Sequence, residues 1–223
     1  MDARDRLICA LDFPTFDEAK ALVEELGDAV TFYKVGMELF YGAGPDIIRY
    51  LKEKDKKVFL DLKLQDIPNT VAHSLAVLTR LGADIMNVHA VGGPKMMAEG
   101  MKAVKEAAAE LGRPAPKLIA VTVLTSMDEA QWKPLNYARP IGEEVLDLAA
   151  LTKESGLDGV VASPREAAGV RGRGGEEFLI VTPGGRPARA ASHDQSRIAT
   201  PAGATGNRST HLVVGRPINT AEQ

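Results

Sequence analysis

The chain has 223 residues, 45% hydrophobic and 26% charged, which is the composition of an ordinary globular protein with one large or two small domains. A formal net charge of -3 argues against a general nucleic-acid binder, because such proteins carry an excess of cations. Cys9 is the single cysteine and no stretch approaches the ~20 apolar residues of a membrane span, so we expect a cytoplasmic protein without a signal peptide or membrane segment.

Short β-rich runs alternate with amphipathic helical patterns, which is typical of a parallel α/β fold. The predicted strands are Leu7–Asp12, Phe32–Gly36, Lys57–Lys63, Asp84–Ala90, Lys117–Thr125, Gly159–Ser163, Phe178–Gly184 and His211–Pro217. The predicted helices are Phe16–Leu26, Pro45–Lys54, Pro68–Leu81, Pro94–Leu111 and Gly142–Ser155. The Gly- and Arg-rich segment Arg171–Gly175 is predicted to be a flexible loop.

This order favours a closed (β/α)₈ barrel, the TIM barrel, formed as one domain by residues 1–223. An open doubly wound sheet is the alternative. Against it, Asp12-Phe13-Pro14 follows the first strand, where a dinucleotide-binding sheet has its glycine-rich turn.

The third predicted strand carries charge on one face. Phe59, Asp61 and Lys63 share this face because side chains alternate along a strand. The opposite face is aliphatic and suits packing against helices; it consists of Val58, Leu60 and Leu62. The pattern therefore places a carboxylate and an ammonium side by side at the strand's C-terminal end.

The first two predicted strands also carry charged residues. Asp12 ends the first strand, and Lys34 lies within the apolar run of the second. Catalytic residues of a (β/α)₈ barrel lie at the C-terminal ends of its strands. A single such residue could equally be a strand-end charge that reaches solvent, but three adjacent strands with the same feature favour an active site.

The loop after the third strand reads Asp66-Ile67-Pro68-Asn69-Thr70. Pro68 fits the first turn of a helix, and Asp66 taken alone could be a helix N-cap with a purely structural role.

The decapeptide from Asp61 to Thr70 resembles the signature D-x-K-x-x-D-I-P-x-T of the orotidine 5'-monophosphate decarboxylase family. The similarity extends from Leu7 to about Pro217. It includes Asp12 and Lys34, and further segments in chain order: Leu124-Thr125-Ser126, Thr182-Pro183-Gly184-Gly185-Arg186-Pro187, Asp194-Gln195, Thr200-Pro201 and Val213-Val214-Gly215-Arg216-Pro217.

The resemblance implies decarboxylation of orotidine 5'-monophosphate to uridine 5'-monophosphate, in pyrimidine synthesis, by Lys34, Asp61, Lys63 and Asp66. It implies that Lys63 protonates C6 of the pyrimidine and that Asp66 comes from the partner subunit of a homodimer. Flanking carboxylates favour the ammonium form of a lysine. A proton donor is therefore favoured over a Schiff-base lysine, which must be a free amine to attack.

The resemblance also implies a substrate-binding set: Asp12, Lys34, Asp61, Ile67, Thr70, Thr125, Arg186, Gln195, Gly215 and Arg216. Within it, Gly215 permits close backbone approach to the phosphate, and Arg216 offers a bidentate contact. Arg186 and Gln195 belong to a long seventh loop that we expect to close over the nucleotide. No cofactor or metal is expected, because the sequence lacks Cys/His ligand spacing.

Two alternatives remain open at this point. One is a magnesium-dependent sugar-phosphate decarboxylase of the same superfamily, which shares D-x-K-x-x-D. The other is a non-catalytic phosphate-binding barrel. The chain departs from the family pattern at Gly185 and at residues 202–210, which are poor helix formers, and few residues follow Pro217. We therefore expect an incomplete eighth helix.

Overall fold

The computed structural model describes residues 1–184 and 208–219, apart from the side chains of Arg216 and Pro217. Its strands form a closed barrel in chain order, and every neighbouring pair is parallel, including β1 with β8. The strands are β1 Leu7–Ala10, β2 Phe32–Gly36, β3 Lys57–Leu64, β4 Ile85–His89, β5 Lys117–Val121, β6 Gly159–Val161, β7 Leu179–Pro183 and β8 His211–Val214. The predicted (β/α)₈ barrel is confirmed.

Helices follow the strands and cover the outside of the barrel. They are α1 Phe16–Leu26, α2 Met37–Ala43, α3 Asp46–Glu53, α4 Pro68–Leu81, α5 Pro94–Glu110, α6 Glu129–Trp132, α7 Ile141–Glu154, α8 Ala167–Gly174 and α9 Arg216–Asn219. Thr15 caps α1 by accepting a hydrogen bond from the Glu18 N–H, and α4 begins at Pro68 as the sequence predicts. Among the described residues, no helix is long and apolar enough to span a membrane.

Two layers of apolar side chains hold the barrel together. The larger layer lies between strands and helices and contains the outward residues of β3, Val58 and Leu60. The smaller fills the barrel interior and consists mainly of Ile8, Ala10, Phe32, Phe59, Ile85, Ile119, Val181 and Val213. The alternation read from the sequence of β3 is thus confirmed, with Phe59 and Asp61 on the inner face.

Several predicted strands end early. β1 stops at Ala10, β5 at Val121 and β8 at Val214, so Asp12, Thr125 and Gly215 lie in the segments that follow them. The eighth strand is predicted to reach Pro217, but Arg216 already begins the helical turn α9. Asn219 closes this turn because its N–H donates to the Gly215 carbonyl. The expectation of an incomplete eighth helix concerns residues 202–207 and 220–223, which lie outside the described residues.

The predicted flexible loop at Arg171–Gly175 is wrong. Residues up to Gly174 belong to α8, and Arg171 is buried with 6% exposure. Its Nη1 donates to the carbonyls of Gly175, Glu176 and Phe178 at 2.6, 3.1 and 2.6 Å, and its Nη2 donates to the Arg208 carbonyl at 3.2 Å. This one guanidinium therefore joins the segment before β7 to the segment before β8.

Candidate active site

A cavity of about 220 Å³ opens at the C-terminal ends of the strands. Its lining residues come from β2 to β8 and the segments that follow them: Lys34, Phe59, Asp61, Lys63, Asn87, Val121, Val123, Leu124, Thr125, Ser126, Val161, Val181, Pro183 and Val213. This is the face where a barrel of this type carries its chemistry. The structure thus brings Lys34, Asp61, Lys63 and Thr125 together, as the sequence predicts.

Asp61 is the centre of the charge cluster. Its Oδ1 accepts hydrogen bonds from Lys63 Nζ at 2.7 Å and from Asn87 Nδ2 at 2.8 Å, and its Oδ2 lies 3.3 Å from Lys34 Nζ. Lys34 Nζ also lies 3.8 Å from Asp12 Oδ1. Because both oxygens of the Asp61 carboxylate face cations or donors, the residue is buried with its charge compensated.

Two opposing effects set the pKa of Asp61. Burial alone raises this pKa, because the charged form loses water. Lys34 and Lys63, together with the hydrogen bonds from Lys63 and Asn87, outweigh burial and hold the pKa below its ordinary value. Asp61 is therefore an anion at neutral pH.

His89 is the last residue of β4 and lies near the charge cluster. Its pKa is lowered by burial and by the positive charge of Lys63, although Asp61 opposes the shift. The imidazole is consequently neutral at pH 7.

The backbone of β3 is irregular where the cluster forms. Leu60 pairs with Met86 and Leu64 with Val88, so Asp61, Leu62 and Lys63 lie opposite the single residue Asn87. Lys63 adopts φ 52°, in the left-handed region that few non-glycine residues occupy. The sequence gives no sign of this bulge, because it depends on the pairing of β3 with β4.

Sequence reasoning also missed Asn87. The only signal in the sequence was a polar amide at an inward-facing position of β4, with Ile85 and His89 as its neighbours on that face.

Asp12 and Gly215 lie next to each other beside the cluster. A Cβ placed on Gly215 would be 3.4 Å from Asp12 Oδ2 and 3.6 Å from the Ala10 Cβ. The end of β8 therefore approaches the end of β1 closely, beside the Asp12–Lys34 pair. The side chain of Arg216 lies outside the described residues, and so do Arg186 and Gln195.

Three residues of the predicted site do not line the cavity. Asp66, Ile67 and Thr70 are exposed, Ile67 to 64% of its surface, and none of them lines the cavity of the described chain. Asp66 accepts a hydrogen bond from the Ile67 N–H at 2.7 Å, immediately before α4. The prediction that Asp66 completes the site of a neighbouring subunit remains a prediction.

The described residues contain no group of three or more His, Cys, Asp or Glu side chains arranged to hold a metal ion.

The family follows from comparison with known proteins. The model of the "Orotidine 5'-phosphate decarboxylase / HUMPS family" matches residues 5–223. The chain belongs to this family. It is 50% identical over 222 residues to the orotidine 5'-phosphate decarboxylase of Moorella thermoacetica, covering 99% of this chain and 88% of that one.

Two further family members agree. The orotidine 5'-phosphate decarboxylase of Bacillus caldolyticus is 49% identical over 215 residues, covering 96% of this chain and 88% of that protein. The crystal structure of the Lactobacillus acidophilus enzyme of the same name superposes with a TM-score of 0.86 at 42% identity, covering 97% and 92% of the two chains.

Proposed function

We propose that this chain decarboxylates orotidine 5'-monophosphate to uridine 5'-monophosphate in pyrimidine biosynthesis, and that Lys63 protonates C6 of the pyrimidine. The observation that carries the proposal is the Lys63 ammonium held 2.7 Å from the buried Asp61 carboxylate in the cavity. The relatives named orotidine 5'-phosphate decarboxylase support the choice of substrate.

The chemistry needs one proton donor. Loss of carbon dioxide breaks the bond from C6 to the carboxylate and leaves the electron pair on C6. Lys63 then transfers a proton to C6 and becomes a neutral amine, which solvent reprotonates after product release. The negative charge of Asp61 stabilises the ammonium before the transfer, and a fixed ammonium stabilises the carbanion as it develops.

Asp61 also has an effect on the bound substrate. The carboxylate that leaves as carbon dioxide would lie near the Asp61 anion, and repulsion between them raises the energy of the ground state. The ammonium of Lys63 acts mainly on the transition state, where the charge on C6 is greatest. We therefore assign the larger share of catalysis to Lys63.

The remaining residues would hold the nucleotide. Asp12, Lys34 and Thr70 would bind the ribose hydroxyls or keep the charges in place, and Thr125 would contact the pyrimidine edge. Gly215 and Arg216 would bind the phosphate, since a glycine permits close backbone approach and a guanidinium offers a bidentate contact. Arg186 and Gln195 would close over the bound nucleotide.

We also propose a homodimer in which Asp66 completes the partner's site. The segment after β3 exposes Asp66, Ile67 and Thr70 at the face of the barrel where the strands end. On the same face, the segments after β2 and β4 carry exposed apolar side chains. They are Met37, Tyr41 and Val91, exposed to 46%, 72% and 39%. A two-fold interface is self-complementary, so each subunit would give and receive Asp66.

A cytoplasmic location forms part of the proposal and rests on Cys9, which is free and buried. Burial raises the pKa of its thiol to about 12, so it is inert at neutral pH.

The activity is tested by following orotidylate absorbance with purified protein treated with a chelator. We expect full turnover without added metal. Turnover of orotidylate that vanishes with EDTA and returns with magnesium would contradict the metal-free mechanism. No turnover of orotidylate, together with magnesium-dependent decarboxylation of a sugar phosphate, would support the sugar-phosphate decarboxylase. A protein that binds nucleotide without any turnover would support the non-catalytic barrel.

The dimer is tested by mixing two inactive variants, Lys63→Ala and Asp66→Ala, after partial unfolding and reassembly. In a mixed dimer one site carries both changes and the other carries neither. Random exchange makes about half the dimers mixed and restores about one site in four. No recovery, despite confirmed subunit exchange, would place Asp66 outside the partner's site.

A further inference from the structure

Asn87 is a buried amide in direct contact with two groups of the charge cluster. It is 1% exposed and lies on the inward face of β4. Its Nδ2 donates to Asp61 Oδ1 at 2.8 Å, and its Oδ1 accepts from the backbone N–H of Lys63 at 2.9 Å. The orientation of the amide follows from chemistry. A backbone N–H can only donate and an ionised carboxylate can only accept, so the oxygen faces Lys63 and the nitrogen faces Asp61.

The contact with Lys63 supports an unusual backbone. Asn87 is the one residue of β4 opposite the bulge Asp61–Lys63, and Lys63 within this bulge has φ 52°. A left-handed conformation is unfavourable for a residue with a Cβ, so it persists only where the surroundings enforce it. The Asn87 side chain replaces the strand hydrogen bond that the bulge removes, and thereby satisfies the Lys63 N–H.

We propose that Asn87 is a positioning residue for the decarboxylation, an inference that rests on the proposed function. It acts through Asp61 and Lys63. The Asn87 side chain fixes the Asp61 carboxylate, which binds the Lys63 ammonium. It also fixes the backbone of Lys63 itself. Neither a hydrophobic residue nor an aspartate at this position can do both, because Asp61 needs a donor and the Lys63 N–H needs an acceptor.

The test compares Asn87→Leu and Asn87→Asp with Thr122→Val. Leucine keeps the size of the side chain and removes both hydrogen bonds. Aspartate keeps an acceptor for the Lys63 N–H but presents oxygen to Asp61. Thr122 is a matched control, because it is buried after β5 and its Oγ1 donates to the Val161 carbonyl at 2.9 Å, apart from the charge cluster.

We expect both Asn87 variants to lose kcat by about 10- to 100-fold, since a displacement near 1 Å of a catalytic group has effects of this size. Their KM for orotidylate and their Kd for uridine 5'-monophosphate should stay within about threefold of wild type, because the ribose and phosphate groups are bound elsewhere. Thr122→Val should keep wild-type kcat, although it loses a buried hydrogen bond. Circular dichroism identifies the folded variants, and Asn87→Asp decides the outcome if Asn87→Leu does not fold.

Any of three results would overturn the assignment. The first is a folded Asn87 variant with kcat within about twofold of wild type. The second is a loss confined to KM and the third is a loss of kcat that Thr122→Val shares, since either would mean a structural role only. Failure of the proposed function gives a different pattern, in which wild-type protein itself does not decarboxylate orotidylate.

Discussion

His211, at the start of β8, should make the stability of this protein dependent on pH. The side chain is 5% exposed, and its ring lies edge-on to Phe32 with centroids 5.9 Å apart. Burial lowers the pKa of His211 to about 4, and the positive charges of Arg6 and Lys57 add to the shift. The folded protein therefore holds the imidazole neutral well below the pH at which the unfolded chain protonates it.

The direction of the effect follows from proton binding. Between pH 6.5 and pH 4 the unfolded state binds a proton at His211 that the folded state does not, so acid favours unfolding. A shift from 6.5 to about 4 corresponds to about 3 kcal/mol when both limits are passed. Between pH 7 and pH 5 the loss in unfolding free energy from this residue alone is about 2 kcal/mol.

The assay is urea unfolding at pH 7 and pH 5, at one protein concentration, followed by the fluorescence of the single tryptophan. Trp132 is 5% exposed and stacks on Tyr137 at 4.3 Å, so it reports the loss of packing. The difference between the two pH values should be smaller in His211→Gln by about 2 kcal/mol, whereas His73→Gln, on the exposed face of α4, should match wild type. An unchanged pH dependence in His211→Gln would refute the argument.

Three further predictions concern the site and its frame. Lys63→Ala should abolish turnover and leave uridine 5'-monophosphate binding measurable by calorimetry; near-normal turnover would disprove the proton-donor role. Arg216→Ala should mainly weaken nucleotide binding, by about 1.5–3 kcal/mol for a lost charge-assisted contact, and a loss confined to kcat would contradict a phosphate role. Gly42→Ala should lower the thermal midpoint, because its Cβ would lie 2.1 Å from the Pro14 carbonyl oxygen, and overpacking costs about 1–3 kcal/mol. Gly142→Ala is the control, since nothing lies within 4 Å of a Cβ added at Gly142. Equal thermal midpoints for the two variants would show that α2 shifts to accept the extra methyl group without loss of stability.

The sequence was sufficient for the barrel and for the centre of the site. Alternation in β3 separates Val58 and Leu60 from Phe59 and Asp61, and the structure has the first pair in the outer layer and the second pair facing the interior. Alternation is a local property, because successive side chains point to opposite faces whatever the strand pairs with.

Other features depend on partners distant in sequence and could not be predicted. The left-handed backbone of Lys63 arises because β3 carries extra residues where it pairs with β4. Only this pairing shows that Asn87 accepts a hydrogen bond from the Lys63 N–H. Glycine content made Arg171–Gly175 look like a loop, but burial of the Arg171 guanidinium against four carbonyls overrides that local preference.

The contacts of Arg171 have a consequence for the connectivity of the chain. Its guanidinium binds carbonyls on both sides of the segment 185–207, and β7 and β8 pair directly from Val181 with His211 to Pro183 with Val213. The Thr210 N–H also donates to the Ile180 carbonyl, and the Ile180 N–H donates to the Thr210 hydroxyl. Closure of the barrel is thus secured by noncovalent contacts that flank the connection. A polypeptide divided between Gly184 and Arg208 would therefore have the means to reassemble, with β8 supplied as a separate complementing peptide.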